Sequence, residues 1–126
     1  MKKHIEVGCA VIEKDNIIFC TQRGSKGECA YKWEFPGGKI EPGETKEAAL
    51  LREIKEELKC IIKIKDYITT VNHEYNTFSA TLHVYLCELL NGEPKLTEHI
   101  NSMWCSKDEL SELDFAEADY KFLDLL

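Results

Sequence analysis

Residues Gly38–Cys60 read GKIEPGETKEAALLREIKEELKC, and the rest of the chain is read outward from them. Glu41-Pro42-Gly43-Glu44 is a turn, because proline fixes φ and glycine tolerates left-handed backbone. Thr45 then stands as an N-cap, with Glu47 in the first turn to suit the helix dipole. A helix is predicted over Lys46–Leu58. Its expected apolar face is Ala48, Leu51 and Leu58, with Leu50 and Ile54 beside them. Glu53 lies three and four residues before Glu56 and Glu57, so all three carboxylates share one patch. They repel one another, and Arg52, four residues before Glu56, offsets one charge. A glutamate cluster of this kind is usually a solvated helix face. Here Gly37-Gly38-Lys39 precedes it, which argues otherwise. Backbone can approach a ligand closely at the glycines, and Lys39 can meet a phosphate as a point charge. A hard divalent cation, Mg²⁺ or Mn²⁺, would suit these oxygens.

Upstream, Ile5–Glu13 and Ile17–Gln22 read as strands joined by an Asp15-Asn16 turn. Gly24–Lys32 is a polar loop. Trp33–Phe35 is a short strand that ends at Pro36-Gly37-Gly38, where regular pairing is expected to break. Downstream, Ile61–Val71 and Phe78–Leu90 read as long strands, Asn91-Gly92 as a turn and Ser102–Cys105 as a short strand. Lys107–Leu113 and Ala118–Leu126 are predicted as C-terminal helices. Strands on both sides of one central helix predict an α/β sandwich with a mixed sheet, formed as one domain over residues 1–126.

Composition narrows the functional classes. The net charge is -7 and 44% of the 126 residues are hydrophobic. That is a globular composition, and its acidity argues against a nucleic-acid polymer as partner. A bound cation would still allow a phosphate ligand. Six cysteines, none in a CxxC pair, read as reduced and partly buried thiols. Met1-Lys2-Lys3 opens no signal-peptide pattern, and no apolar run reaches the ~18 residues of a membrane span. A cytoplasmic location is expected, with no membrane partner.

The pattern GX5EX7REUXEEXGU, with U aliphatic, defines the Nudix box, and this chain closely resembles it. Gly38, Glu44, Arg52, Glu53, Ile54, Glu56 and Glu57 all match at the required spacing. Two positions depart: Lys59 stands for the glycine and Cys60 for the last aliphatic residue. The glycine is expected to serve a left-handed C-cap, so Lys59 there should cost about 1–2 kcal/mol without removing activity. The resemblance to MutT-type members extends over Lys2–Arg23, over WEFPGGKIEPGE and over the last helix preceded by Phe115. It is weak from Asp66 to Glu93.

The resemblance implies the fold: a Nudix α/β/α sandwich with a catalytic helix at about 45–58 and a C-terminal helix. It also implies Mg²⁺-dependent hydrolysis of a nucleoside triphosphate to monophosphate and pyrophosphate, of the kind that clears oxidised guanine nucleotides from the pool and so supports DNA repair. Glu53, Glu56 and Glu57, with the Gly37 carbonyl, become metal ligands. Glu53 or Glu98 becomes the general base. Gly38, Glu44 and Arg52 become structural. Arg23, Phe35, Lys39 and Asp119 become substrate contacts, with Phe35 as an apolar wall and Asp119 as the reader of the base. Phe78 is expected in the core, and the four histidines are set aside. An ionised Asp119 is acceptor-only and suits the two donors on the edge of guanine. Cytidine-type relatives also carry Asp here, so a CTP or 5-methyl-dCTP pyrophosphohydrolase stays open. So does a nucleotide-binding module without catalysis, although no box carboxylate is lost. Family members are often monomers, which is the expected state, with a dimer left open.

Overall fold

A computed structural model describes residues 2–126. Strand β1 (Lys3–Lys14) and β2 (Ile17–Gln22) form a hairpin. Asp15 and Asn16 both have positive φ, 50° and 67°, the backbone that a tight two-residue hairpin turn requires. Then follow β3 (Trp33–Glu34), β4 (Gly37–Lys39), helix α1 (Lys46–Leu58), β5 (Ile61–Glu74), β6 (Phe78–Asn91), β7 (Asn101–Cys105), α2 (Lys107–Leu110) and α3 (Glu117–Tyr120). The main path through the sheet is β3-β2-β1-β6-β5, with β4 on β1 and β7 on β2. β1 and β6 pair in parallel from Lys3↔Phe78 to Glu13↔Glu88, and the other pairs are antiparallel. The sheet is mixed, as expected.

β1 is buried on both faces, as a strand at the centre of a sandwich should be. Because side chains alternate along a strand, Cys9 and Val11 join one core with Phe35, Val84, Phe115 and Phe122. Ala10 and Ile12 join the other with Leu50, Ile54, Leu58 and Tyr85. The helix is N-capped by Thr45 Oγ1, which accepts from Ala48 N at 3.1 Å. Its buried face differs from the expected one. Leu50, Ile54 and Leu58, four apart, form the core stripe with Ala49, whereas Ala48 is exposed and Leu51 is 41% exposed. This rotation has a consequence. The neighbouring stripe, Ala49-Glu53-Glu57, now faces β4, and the carboxylates are carried to the edge of the core.

Three further differences have simple causes. Regular pairing lapses at Phe35-Pro36 but resumes at once on another strand: Gly37 and Gly38 pair with Cys9 and Gly8. Only glycine permits this approach, since a Cβ on Gly37 would lie 1.8 Å from the Gly8 carbonyl oxygen. β1, β5 and β6 outrun their apolar patterns because backbone pairing continues after the hydrophobic alternation fades, for example at Glu74↔Ser79. The C-terminal helices are single turns. From Asp119 to Leu126 the chain bonds back by three residues, a tight 3₁₀-like spiral that drops Phe122 between Phe35 and its neighbours. Lys59 does cap α1 in the left-handed conformation, at φ 55° and ψ 33°. All six cysteines are free and buried. Among the described residues no helix is long and apolar enough to cross a membrane.

Candidate active site

The stripe Glu53-Glu57, the glycine strand β4 and the start of α3 converge on one cleft of about 680 Å³. Arg23, Phe35, Gly37, Gly38, Lys39, Glu53, Glu56, Glu57, Glu98 and Asp119 all line it. Residues separated by nearly a hundred positions in sequence therefore share one space. Glu44 and Arg52 do not line it. They form a brace beside it.

The brace is built around Arg52. Its Nε and Nη2 hold the Glu44 carboxylate at 2.7 and 2.8 Å, a bidentate pair. Nη1 meets Glu53 Oε1 at 2.9 Å and Glu56 Oε2 at 3.3 Å, and Nη2 reaches the Lys39 carbonyl at 3.2 Å. One guanidinium thus joins the turn, β4 and the acidic patch. Arg52, helped by the Glu41 backbone N–H, pulls Glu44 down to about 2. Gly38 completes the seat, because a Cβ there would lie 2.3 Å from the Glu53 carboxylate.

Glu57 shows what the patch lacks. Its Oε2 is buried with no hydrogen-bond partner. Burial, then the charges of Glu53, Glu98 and Glu34, push its carboxyl up to about 8. Such a group needs either a proton or a cation. The donor set is oxygen throughout, which suits a hard divalent ion. The carboxylates are not already drawn into a ligand shell, since among the described residues no three acidic, histidine or cysteine side chains are grouped closely enough to hold an ion. Glu98 comes alongside because its loop is pinned to the end of α1. Thr97 Oγ1 donates to the Glu57 carbonyl at 2.7 Å, and Lys95 N to that of Leu58 at 2.8 Å.

At the other end Asp119 is 4% exposed, and its Oδ2 accepts from Phe35 N at 3.0 Å. Burial, then the charge of Glu34, raise its carboxyl well above the ordinary range. Phe35 departs from the expected wall. Its ring is 2% exposed and lies in the core, 5.2 Å from Phe115 and 5.4 Å from Phe122. What it gives the site is its backbone N–H. Phe78 is half-buried, stacked 4.6 Å from Tyr75, and it lines the cleft.

Two residues passed over in the sequence belong to this site. Glu34 takes Arg23 Nη1 at 3.3 Å on one oxygen and His99 Nε2 at 2.9 Å on the other. His99, set aside with the other histidines, has a side chain only 8% exposed. Their partners lie 11 and 65 residues away, so no local spacing marked them. Lys39 makes no ion pair among the described residues and stands exposed at the rim.

A family profile described as NUDIX domain matches residues 7–125. The chain belongs to the NUDIX domain family, and it is a Nudix hydrolase. Among its relatives, the CTP pyrophosphohydrolase of Escherichia coli (strain K12) is 35% identical over 97% of this chain and 90% of its own. The 8-oxo-dGTP diphosphatase of the same organism is also 35% identical, over 93% and 92%. The crystal structure of a MutT NUDIX hydrolase from Burkholderia pseudomallei superposes with a TM-score of 0.89 at 27% identity, covering 99% of both chains. The divalent-metal requirement of the family fits the oxygen-lined patch at Glu53 and Glu57.

Proposed function

We propose that this chain hydrolyses a nucleoside triphosphate to its monophosphate and pyrophosphate, with Mg²⁺ as the metal. One observation carries the reading. A single cleft joins the Glu53-Glu56-Glu57 patch, in which Glu57 Oε2 is buried without a partner, to a second buried carboxyl, Asp119, at its other end. Glu53, Glu56, Glu57 and the Gly37 carbonyl would hold the ion. When bound, Mg²⁺ neutralises the phosphates and supplies an activated water.

The chain's own residues do the rest. Arg52 and Gly38 fix the rotamer of Glu53. Glu98, held beside Glu57 by Thr97, and Glu53 are the two candidates for the base that takes a proton from water. Lys39 and Arg23 provide positive charge for phosphate, Arg23 being tied to Glu34 at 3.3 Å. The acid excess suits a small nucleotide neutralised by metal, and no nucleic-acid polymer.

Asp119 reads the base, anchored by Phe35 N–H. The leading substrate is an oxidised guanine triphosphate, 8-oxo-dGTP, whose N1–H and N2–H₂ meet an ionised Asp119. The raised affinity of Asp119 for its proton supports a second reading. A neutral carboxyl offers one donor and one acceptor, which matches N3 and N4–H₂ of cytosine, as in CTP or 5-methyl-dCTP. The similarity to both named relatives supports the pair of readings equally. A panel of 8-oxo-dGTP, dGTP, CTP and 5-methyl-dCTP with Mg²⁺, followed by pyrophosphate release, tests the function. Selective release from one names the base. Release from none would overturn the proposal and leave a nucleotide-binding module.

A further inference from the structure

The base end of the cleft is closed by a contact that hydrolysis itself does not require. Residues 24–32 join β2 to β3, and residues 75–77 join β5 to β6. Glu28 spans the two. Its Oε2 accepts from Asn76 N at 2.8 Å, and its Oε1 accepts from Thr77 N and from Thr77 Oγ1, each at 2.8 Å. These lengths are in the range of charge-assisted hydrogen bonds. Two successive backbone N–H groups aimed at one carboxylate form a small anion nest. They hold the Glu28 carboxyl below its ordinary range, Asn76 N–H foremost.

Both segments wall the cleft: Gly27, Glu28 and Cys29 on one side, Tyr75, Thr77 and Phe78 on the other. Within itself the first segment is held by turns, such as Tyr31 N to Gly24 O at 3.0 Å, and by left-handed backbone at Gly27 and Tyr31. The second segment is tied onward to the base reader. Tyr75 hydroxyl accepts from Ala118 N at 3.0 Å, and Ala118 precedes Asp119. A continuous path therefore runs from Glu28 through Tyr75 to Asp119.

We propose that Glu28 is a positioning residue which clasps residues 24–32 to the 75–77 turn and so fixes the width of the base end before a nucleotide arrives. The inference rests on the nucleotide reading above. The clasp lies in exposed positions and shares no hydrogen bond with Glu53, Glu56, Glu57 or Glu98, so its loss should leave the fold and the chemical step intact. What changes is the ordering required on binding, since a wall already in place costs nothing to immobilise.

Glu28→Ala removes all three acceptor contacts, whereas Glu28→Gln keeps an acceptor oxygen and loses the charge. Glu74→Gln, an exposed acid paired to Lys2 at 3.4 Å, serves as control. Two readouts are taken on the full chain: KM and kcat for the preferred triphosphate, and hydrogen exchange at the Asn76 and Thr77 amides. We expect KM to rise about fivefold in Glu28→Ala and about twofold in Glu28→Gln, with kcat unchanged, and exchange to quicken in the same order. Unchanged exchange would overturn the contact itself. Faster exchange with unchanged KM would reduce Glu28 to a tether, and a fall in kcat at constant KM would place it in the chemistry instead; either overturns the proposal. If the wild type cuts no triphosphate, the nucleotide reading fails first. Exchange and calorimetric titration with GMP and CMP then judge the clasp: weaker binding by Glu28→Ala than by wild type supports it, and no difference overturns it.

Discussion

The two ends of the cleft are built in opposite ways. The acidic end comes mostly from one run of chain, Gly37 to Glu57, in which turn, cap and helix place Glu53, Glu56 and Glu57 by local rules, and only Glu98 joins from a later loop. The end proposed to hold the base is assembled from Arg23, Glu28, Phe35, Tyr75, His99 and Asp119, brought together only by the tertiary fold. The first is over-acidic and wants a cation. The second is dry, and burial raises the hold of its acid, Asp119, on a proton. Local construction tolerates sequence drift elsewhere, whereas the assembled end depends on the whole fold. Substitutions at the acidic end should thus act on turnover, and those at the base end on selectivity and pH response.

The largest effect is expected at Glu57. Glu57→Gln replaces a buried, unpartnered carboxyl whose ionised form is disfavoured without a cation, so the fold should hold or gain stability, while Mg²⁺-dependent turnover falls by about 100-fold or more. Circular dichroism and pyrophosphate release measure the two together. Full activity would remove the metal assignment from the acidic end.

Gly38→Ala follows. Its Cβ would meet the Glu53 carboxylate at 2.3 Å, so the carboxylate must swing away. Turnover should drop by about tenfold and stability by about 1–3 kcal/mol, read from denaturant melts. Unchanged turnover would show that the seat of Glu53 does not matter.

Asp119→Asn probes the other end. The folded protein raises this carboxyl far above its ordinary value of 3.8. Its contribution to stability is therefore greatest below that value and declines as pH rises towards the folded-state pKa. Asparagine does not titrate, so melting temperatures of variant and wild type should diverge in the variant's favour between about pH 5 and pH 8. A constant gap would mean that Asp119 is ionised throughout.

The smallest effect is at Lys59. Lys59→Gly relieves left-handed strain of about 1–2 kcal/mol but adds flexibility to the unfolded chain, leaving a gain of roughly 0.5 kcal/mol or somewhat more. A shift in the melting midpoint with unchanged turnover would separate this cap from the site it adjoins.

The same contrast explains what could be read from the sequence. The mixed sheet, the helix, the Thr45 cap and the acidic patch follow from the local pattern, and the left-handed position of Lys59 follows from its place at the glycine of the Nudix box. The buried face of α1 is not fixed by the local pattern, because two candidate stripes, through Ala48 and through Leu50, both carry apolar residues. The packing of Leu50, Ile54 and Leu58 against Ala10, Ile12 and Tyr85 of the sheet selects between them. The resumption of pairing at Gly37 depends on a strand thirty residues earlier. Glu34 and His99 are ordinary in their local context, and acquire meaning only when Arg23 and β7 arrive beside them. Phe35 offered an aromatic ring to the reader of the sequence, whereas the fold uses its amide.

The central claim is that the two ends form one nucleotide site. A single measurement addresses it: the ¹H–¹⁵N spectrum of the wild type titrated with GMP and CMP in turn, then with Mn²⁺. The account predicts that one monophosphate shifts the Phe35 amide, and that Mn²⁺ then broadens Gly37, Gly38, Glu53 and Glu57 in the same molecule. Broadening scattered over the acidic surface, with Phe35 unmoved by either nucleotide, would contradict it.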